Sequence, residues 1–184
     1  MKTKFIEENT KYTGLELAPH WIYKTQKIQG DAIVAFVGEC EVKLTEMVDI
    51  EDVINNEPIY SKSMLNFIFE NFNVDLVQGV FRQRLLITTI KEVLEQDYNV
   101  KVVRSGDDLF IDGKKLSVSI ATKSITSILI HTGLNIDATG APVSAAELNS
   151  IKGLEVKDFA KKVMTRFSEE VEDIVMASTK VSGR

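Results

Sequence analysis

One cysteine, three prolines and two histidines are spread over 184 residues. The single thiol, Cys40, excludes an internal disulfide framework and any cysteine-rich metal site. With so few prolines there is no Pro/Gly/Ser-rich linker, and neither an internal repeat nor a low-complexity segment occurs. Long apolar runs are missing as well, since none approaches the roughly 20 residues that span a bilayer. The opening Met1-Lys2-Thr3-Lys4-Phe5-Ile6-Glu7-Glu8 lacks the apolar core of a secretory signal. A cytoplasmic protein with no membrane role is therefore expected. Positive charge is not in excess either: the net charge is −5 and the pI about 5.2. Neutralising phosphates dominates nucleic-acid affinity, so this balance disfavours nucleic acid as a partner.

What is present is ordinary for a globular chain, with 44% hydrophobic and 27% charged residues, and one domain over residues 1–184 is expected. The first thirty residues are polar with apolar anchors, and Pro19-His20-Trp21-Ile22-Tyr23 is their aromatic knot. This segment reads as a cover over the core, or as the mouth of a pocket formed by His20 or Trp21. Ala32 to Val37 reads as a buried strand ending at Gly38, with Glu39 to Val42 as an alternating continuation. Cys40 sits between two glutamates, which disfavour a thiolate, so it reads as structural. Asp49, Glu51 and Asp52 suit either Mg²⁺ ligation through oxygen or the N-terminus of a helix. Met64 to Phe72 leans to strand. Leu85, Leu86, Ile90, Val93 and Leu94 form one stripe of a helix over about Phe81 to Gln96. Arg82 and Arg84 then lie near its start, where a cation opposes the helix dipole, so they are either solvated or aimed at an anion.

The densest stretch is Arg104 to Asn135. After a short strand at Val100–Val103, Leu109–Ile111 and Leu116–Ala121 read as strands joined by an Asp112-Gly113 hairpin turn. Period-two geometry places Leu116, Val118 and Ile120 toward helices and Lys115, Ser117, Ser119 and Ala121 on the other face. In the next strand Ile128, Ile130, Thr132, Leu134 and Ile136 share the apolar side, and Leu129, His131, Gly133 and Asn135 the opposite one. A face of small residues flanked by Lys115, His131 and Asn135 is either the wall of a pocket or a solvated sheet face. His131 has no serine or cysteine partner for a triad. It is either a ligand contact or a satisfied sheet histidine. Further on, Gly140-Ala141-Pro142 reads as a turn and Ser144 to Leu148 as a capping box opening a short helix. A long helix follows over about Val156 to Met176, with a stripe of Phe159, Val163, Phe167, Val171, Ile174 and Val175.

The order of these pieces resembles the biotin and lipoate protein ligases, a branch of the class II synthetase-like superfamily. The match runs from the helix Arg84–Gln96 through Ser105-Gly106-Asp107-Asp108-Leu109 and Asp112-Gly113-Lys114-Lys115-Leu116-Ser117-Val118 to Ile130-His131-Thr132-Gly133-Leu134-Asn135-Ile136. It covers roughly a third of the chain. The whole chain also resembles a small prokaryotic group, the domain-of-unknown-function family 366. The ligase resemblance implies an α+β fold, a mixed and mainly antiparallel sheet covered by helices. It further implies that Lys115 contacts an acyl carboxylate and the α-phosphate, that Asp108 is the motif's acid with Asp107 replacing its asparagine, and that Gly133 and Asn135 are the last strand's glycine and asparagine. Two positions depart from the pattern: Val118 and His131 stand where the ligases keep glycines. Neither a Gly-Arg-Gly-Arg biotin loop nor an Arg-Arg-x-x-Gly-Gly-Gly lipoate loop is present.

The function expected on this basis is a ligase-like small-molecule site for a carboxylate or nucleotide, working by ATP-dependent acyl-adenylate formation or by acyl transfer. Joining a carboxylate to ATP crowds negative oxygens, so a preorganised cation lowers the barrier. Lys115 supplies it in this reading, with Arg82, Arg84 or Arg104 on the phosphates and Asp107, Asp108 or the Asp49/Glu51/Asp52 group on Mg²⁺. Ser117, Ser119, His131, Gly133 and Asn135 complete the ligand wall. The alternative is a degenerate, non-catalytic binding or assembly module of the same fold, with a homodimer as its natural partner.

Overall fold

A computed structural model describes residues 1–139 and 144–183. Five strands form one sheet in the order β1 (Lys2–Phe5), β2 (Ala32–Val42), β3 (Ile59–Phe72), β8 (Ser127–Asp137) and β7 (Ser117–Lys123). Only the β1–β2 pair is parallel; the other three are antiparallel. Three short strands, β4 (Val103–Ser105), β5 (Asp108–Ile111) and β6 (Lys114–Lys115), make a second antiparallel sheet. Helices α1 (Trp21–Gln26), α2 (Ile50–Asn55), α3 (Leu76–Tyr98) and α4 (Val156–Thr179) complete the α+β fold.

The central strands read as near-continuous apolar runs because both faces of the sheet are covered. On one face Ile33, Leu65, Phe67, Phe69, Ile130 and Leu134 pack against Leu86, Ile90 and Val93 of α3 and Phe159, Val163 and Phe167 of α4. On the other, Val34, Phe36, Met64, Ile68 and Leu129 lie under Ile6, Tyr12, Leu17 and Ile22 of the N-terminal segment. That segment is thus the cover. Trp21 leans on Phe36 and the His20 ring on Phe72, and neither is among the described residues that line the cavity beside β7 and β8. Gly38 is required where the cover crosses β2, because a Cβ there would lie 1.9 Å from the Thr10 carbonyl oxygen.

Several boundaries differ from the sequence expectation. Helix α3 starts five residues before Phe81, capped by Asp75, whose Oδ1 accepts from the Gln78 amide at 2.7 Å. Gly79, a weak helix former, masks that first turn. It is glycine because a Cβ would lie 2.6 Å from Ile128 Cγ2. No strand forms over residues 100–102; β4 begins at Val103. The Asp112-Gly113 turn does form, with both residues at positive φ, but it joins β5 to the two-residue β6. The chain then crosses to the large sheet at Leu116. Residues 148–150 make a single 3-10 turn, and the Glu147 side chain accepts from the Ala138 amide instead of closing a capping box. The expected turn at Gly140-Ala141-Pro142 lies outside the described residues. In α4 the buried stripe ends at Val171, and Ile174 and Val175 are about half exposed.

Candidate small-molecule site

The crossing at Leu116 builds the site. Across β7 and β8, Val118 pairs with Gly133, Ser119 with Thr132 and Ile120 with His131. Directly opposed residues share a face. Val118 and Ile120 therefore join His131 and Gly133 on the cavity side, while Ser119 turns toward α3. This reverses the expected split of β7: Leu116 stays with the helices, and the alternation restarts beyond the break.

The resulting cavity, about 600 Å³, lies between β7, β8, the β5–β6 hairpin and the segment carrying α2. Leu17, Val42, Met47, Ile59, Met64, Val118 and Ile120 form apolar wall. Among the described residues Lys115 is the one lysine or arginine lining it, against six carboxyl groups: Glu46, Asp49, Asp52, Glu57, Asp107 and Asp108. Of the residues singled out in the sequence, Asp107, Asp108, Lys115, Ser117, Ser119, His131 and Asn135 are brought together here.

Each polar group is held in a distinct way. Lys115 Nζ pairs with Asp108 Oδ1 at 2.9 Å, and its backbone carbonyl accepts from the Ala146 amide. Asp107 sits in the two-residue turn between β4 and β5 and is gripped from α3: Arg84 Nη1 donates to Oδ1 at 2.9 Å and Gln83 Nε2 to Oδ2 at 2.8 Å. Burial nevertheless raises its carboxyl above the usual range, against the pull of Arg84. Asp52 is raised too, first by burial and then by the charges of Asp49 and Glu57. The Ser117 hydroxyl accepts from the Leu109 amide. That of Ser119 accepts from Gln83 and donates to the His131 carbonyl. Both serines are thus occupied by the scaffold. The Asn135 amide donates to the Leu116 carbonyl while its side chain reaches the cavity.

His131 is buried, and its ring stacks on Tyr12 with centroids 3.7 Å apart and planes 11° off parallel. Its Nε2 lies 2.9 Å from Asn66 Oδ1. Burial pushes its pKa down to about 3, so the ring is neutral at ordinary pH. Gly133 leaves room for Met64, whose Sδ would lie 2.2 Å from a Cβ at that position.

The arginines are not cavity residues. Arg84, eight residues into α3, is spent on Asp107, and Arg104 Nη1 donates to the Gly106 carbonyl oxygen at 2.6 Å. Arg82 does not line the cavity; it feels the charges of Asp31 and Asp75, and among the described residues its buried Nη1 has no hydrogen-bond partner. Among the described residues, no three His, Cys, Asp or Glu side chains are grouped as metal ligands. Cys40 is buried, and burial with Glu16 and Glu39 pushes its thiol up to about 12, which leaves it inert. Tyr12, Met64, Asn66 and Gln83 belong to the site and were not singled out in the sequence. The period-two alternation of β3 was the one signal for Met64 and Asn66.

A family model described as a domain of unknown function (DUF366) matches residues 1–182. The chain belongs to the DUF366 family. A curated relative, uncharacterized protein MJ0805 of Methanocaldococcus jannaschii, is 38% identical over 182 residues, covering 95% of this chain and 81% of that protein. A solved structure of a protein of unknown function from Pyrococcus horikoshi superposes over 100% of both chains with a TM-score of 0.92 at 35% identity. More distant structures carry the ligase name. A biotin protein ligase from Aquifex aeolicus, in complex with biotin and ATP, matches at a TM-score of 0.63 and 18% identity, over 92% of this chain and 70% of that one. An archaeal lipoylation-system structure from Thermoplasma acidophilum, a bi-partite lipoate protein ligase, matches at 0.59 and 12% identity, over 93% and 83%. This DUF366 protein therefore has the biotin/lipoate protein ligase-like fold. No helix among the described residues is long and apolar enough to cross a membrane.

Proposed function

We propose that the cavity binds a small carboxylic acid with an apolar body, and that Lys115 holds its carboxylate while ATP converts it to an acyl-adenylate. The observation that carries this reading is Lys115 itself: among the described residues it is the one lysine or arginine on a wall that is otherwise apolar, neutral polar or acidic. In the reaction a carboxylate oxygen attacks the α-phosphorus and pyrophosphate leaves. Lys115 exchanges Asp108 for the incoming oxygens, so the ammonium is preorganised and little reorientation is needed. Asp107 and Asp108 are hard oxygen donors of the kind that hold Mg²⁺ together with substrate phosphates, where the ion would neutralise charge on the leaving group. Acyl transfer through Cys40 has no support, because the thiol is buried and protonated.

The test is nucleotide-dependent pyrophosphate exchange with a panel of carboxylic acids, alongside calorimetry with ATP. Lys115→Ala loses both exchange and acid binding; wild-type exchange in that variant refutes the assignment. A second reading is a non-catalytic binding or assembly module. It is favoured by one observation, the engagement of Arg84 and Arg104 within the scaffold, which leaves no arginine facing the cavity among the described residues. Absence of nucleotide affinity together with a stable dimer in solution selects it.

A further inference from the structure

The hydrogen-bonding character of the cavity points to its ligand. Asn66 Nδ2 donates to the Met64 carbonyl at 3.2 Å, so its Oδ1 faces His131. Flipping the amide would set two acceptors against each other at Met64, so the orientation is forced. Nε2 of His131 therefore carries the ring proton, and Nδ1 is left as an acceptor. No donor reaches Nδ1 among the described residues, although His131 is only 2% exposed and lines the cavity. Nδ1 is not among the sealed polar atoms left without a partner, so it is an acceptor that the cavity can reach. Asp52 and Glu57 also line the cavity, and neither carboxylate is hydrogen-bonded or ion-paired to a cation among the described residues. A lining rich in acceptors and negative charge is complementary to a ligand that donates and is positive.

We infer that the cavity selects a ligand carrying a primary amine on an apolar chain, with an N–H donating to His131 Nδ1 and the ammonium charge matched by the acidic lining. The apolar walls at Val118, Ile120 and Met64 take the chain. Val118 and His131, the two departures from the ligase pattern, thus become the residues that set specificity. This deepens the proposed function only in assuming that the cavity is the ligand site. If Lys115 also takes a carboxylate, the natural ligand is an ω-amino acid.

Calorimetry with hexylamine, hexanoate and ω-aminohexanoate at constant ionic strength tests it. Both amines bind wild type, and His131→Phe, which keeps the stack on Tyr12 but lacks Nδ1, weakens them at least about tenfold without weakening hexanoate. Because that substitution also strands Asn66 Oδ1 and could unfold the chain, a second variant, Asp52→Asn with Glu57→Gln, is measured in parallel. These side chains are solvent-accessible, and their loss lowers amine affinity while hexanoate binds no worse. Hexanoate binding as tightly as ω-aminohexanoate, in a Lys115-dependent way, overturns the amine preference and leaves acyl activation standing. Amine binding without nucleotide-dependent exchange supports the preference and refutes acyl activation. Failure of both amines to bind, or amine affinity indifferent to both variants, overturns the inference.

Discussion

His131 shows how neighbours settle what a side chain does. Its type promises a switch near neutral pH, yet burial against Tyr12 and Asn66 holds the folded ring neutral down to about pH 3. The unfolded chain takes up a proton near pH 6.5 that the folded chain refuses. Stability from this site is thus complete above pH 6.5 and falls as pH drops, by up to about 1.4 kcal/mol per unit. Urea unfolding at pH 7 and pH 5 is expected to differ by about 2 kcal/mol from this group, and the difference vanishes in His131→Phe. Asp52 and Asp107, whose folded pKa values are raised by burial, contribute the opposite slope. The comparison of wild type with His131→Phe, in which both carboxyls are retained, isolates the histidine.

Elements in this fold are located by close approaches that a one-dimensional pattern hides. Gly38 lies at the irregularity of β2, between the pairs Gly38–Met64 and Cys40–Ser61, where the N-terminal segment crosses. Its missing Cβ is what lets Thr10 donate to the Val37 carbonyl at 3.0 Å and Tyr12 reach Glu39. Gly38→Ala drives a methyl into backbone that cannot rotate away. A loss of about 3 kcal/mol or more is expected in denaturant titration, with Tyr12 lifted off His131. The same substitution at Gly113, where nothing lies within 4 Å of a Cβ, meets only the cost of positive φ, about 1 kcal/mol. A larger loss at Gly113 than at Gly38 would refute the crossing as the cause.

At the scale of the molecule, one sheet serves two cores. Phe67 and Phe69 anchor the helical side while Met64 and Ile68 of the same strand anchor the side under the N-terminal cover. Neither layer can dissolve without exposing the back of the other, so the described parts are expected to unfold in a single step. The one tryptophan, Trp21, sits on Phe36 in the cover, whereas far-ultraviolet dichroism reports α3 and α4. The two signals should superimpose in a urea titration. Phe167→Ala, which removes an edge-on contact to Phe69, should shift both equally, by about 3–5 kcal/mol. Separated transitions would show that the cover is an independent unit.

The sequence by itself determined the type of the core strands β2, β3, β5, β7 and β8 and of helices α3 and α4, the Asp112-Gly113 turn, the structural character of Cys40 and the face that β8 turns to the cavity. These follow from period, turn chemistry and local charge, which act over a few residues. It also brought Lys115, Asp107, Asp108, His131 and Asn135 into one stretch, and they do share one wall. What only tertiary structure decided is the orientation of β7, the occupation of Ser117, Ser119, Arg84 and Arg104 by the scaffold, and the partners of His131. A strand's alternation is relative, so the break at Leu116, set by the jump between two sheets, inverted every side chain after it. The cover supplied Tyr12 from the far end of the chain, α3 supplied the grip on Asp107, and α2 brought the acids opposite Lys115. Contacts of that range depend on how layers stack, and no local pattern encodes them.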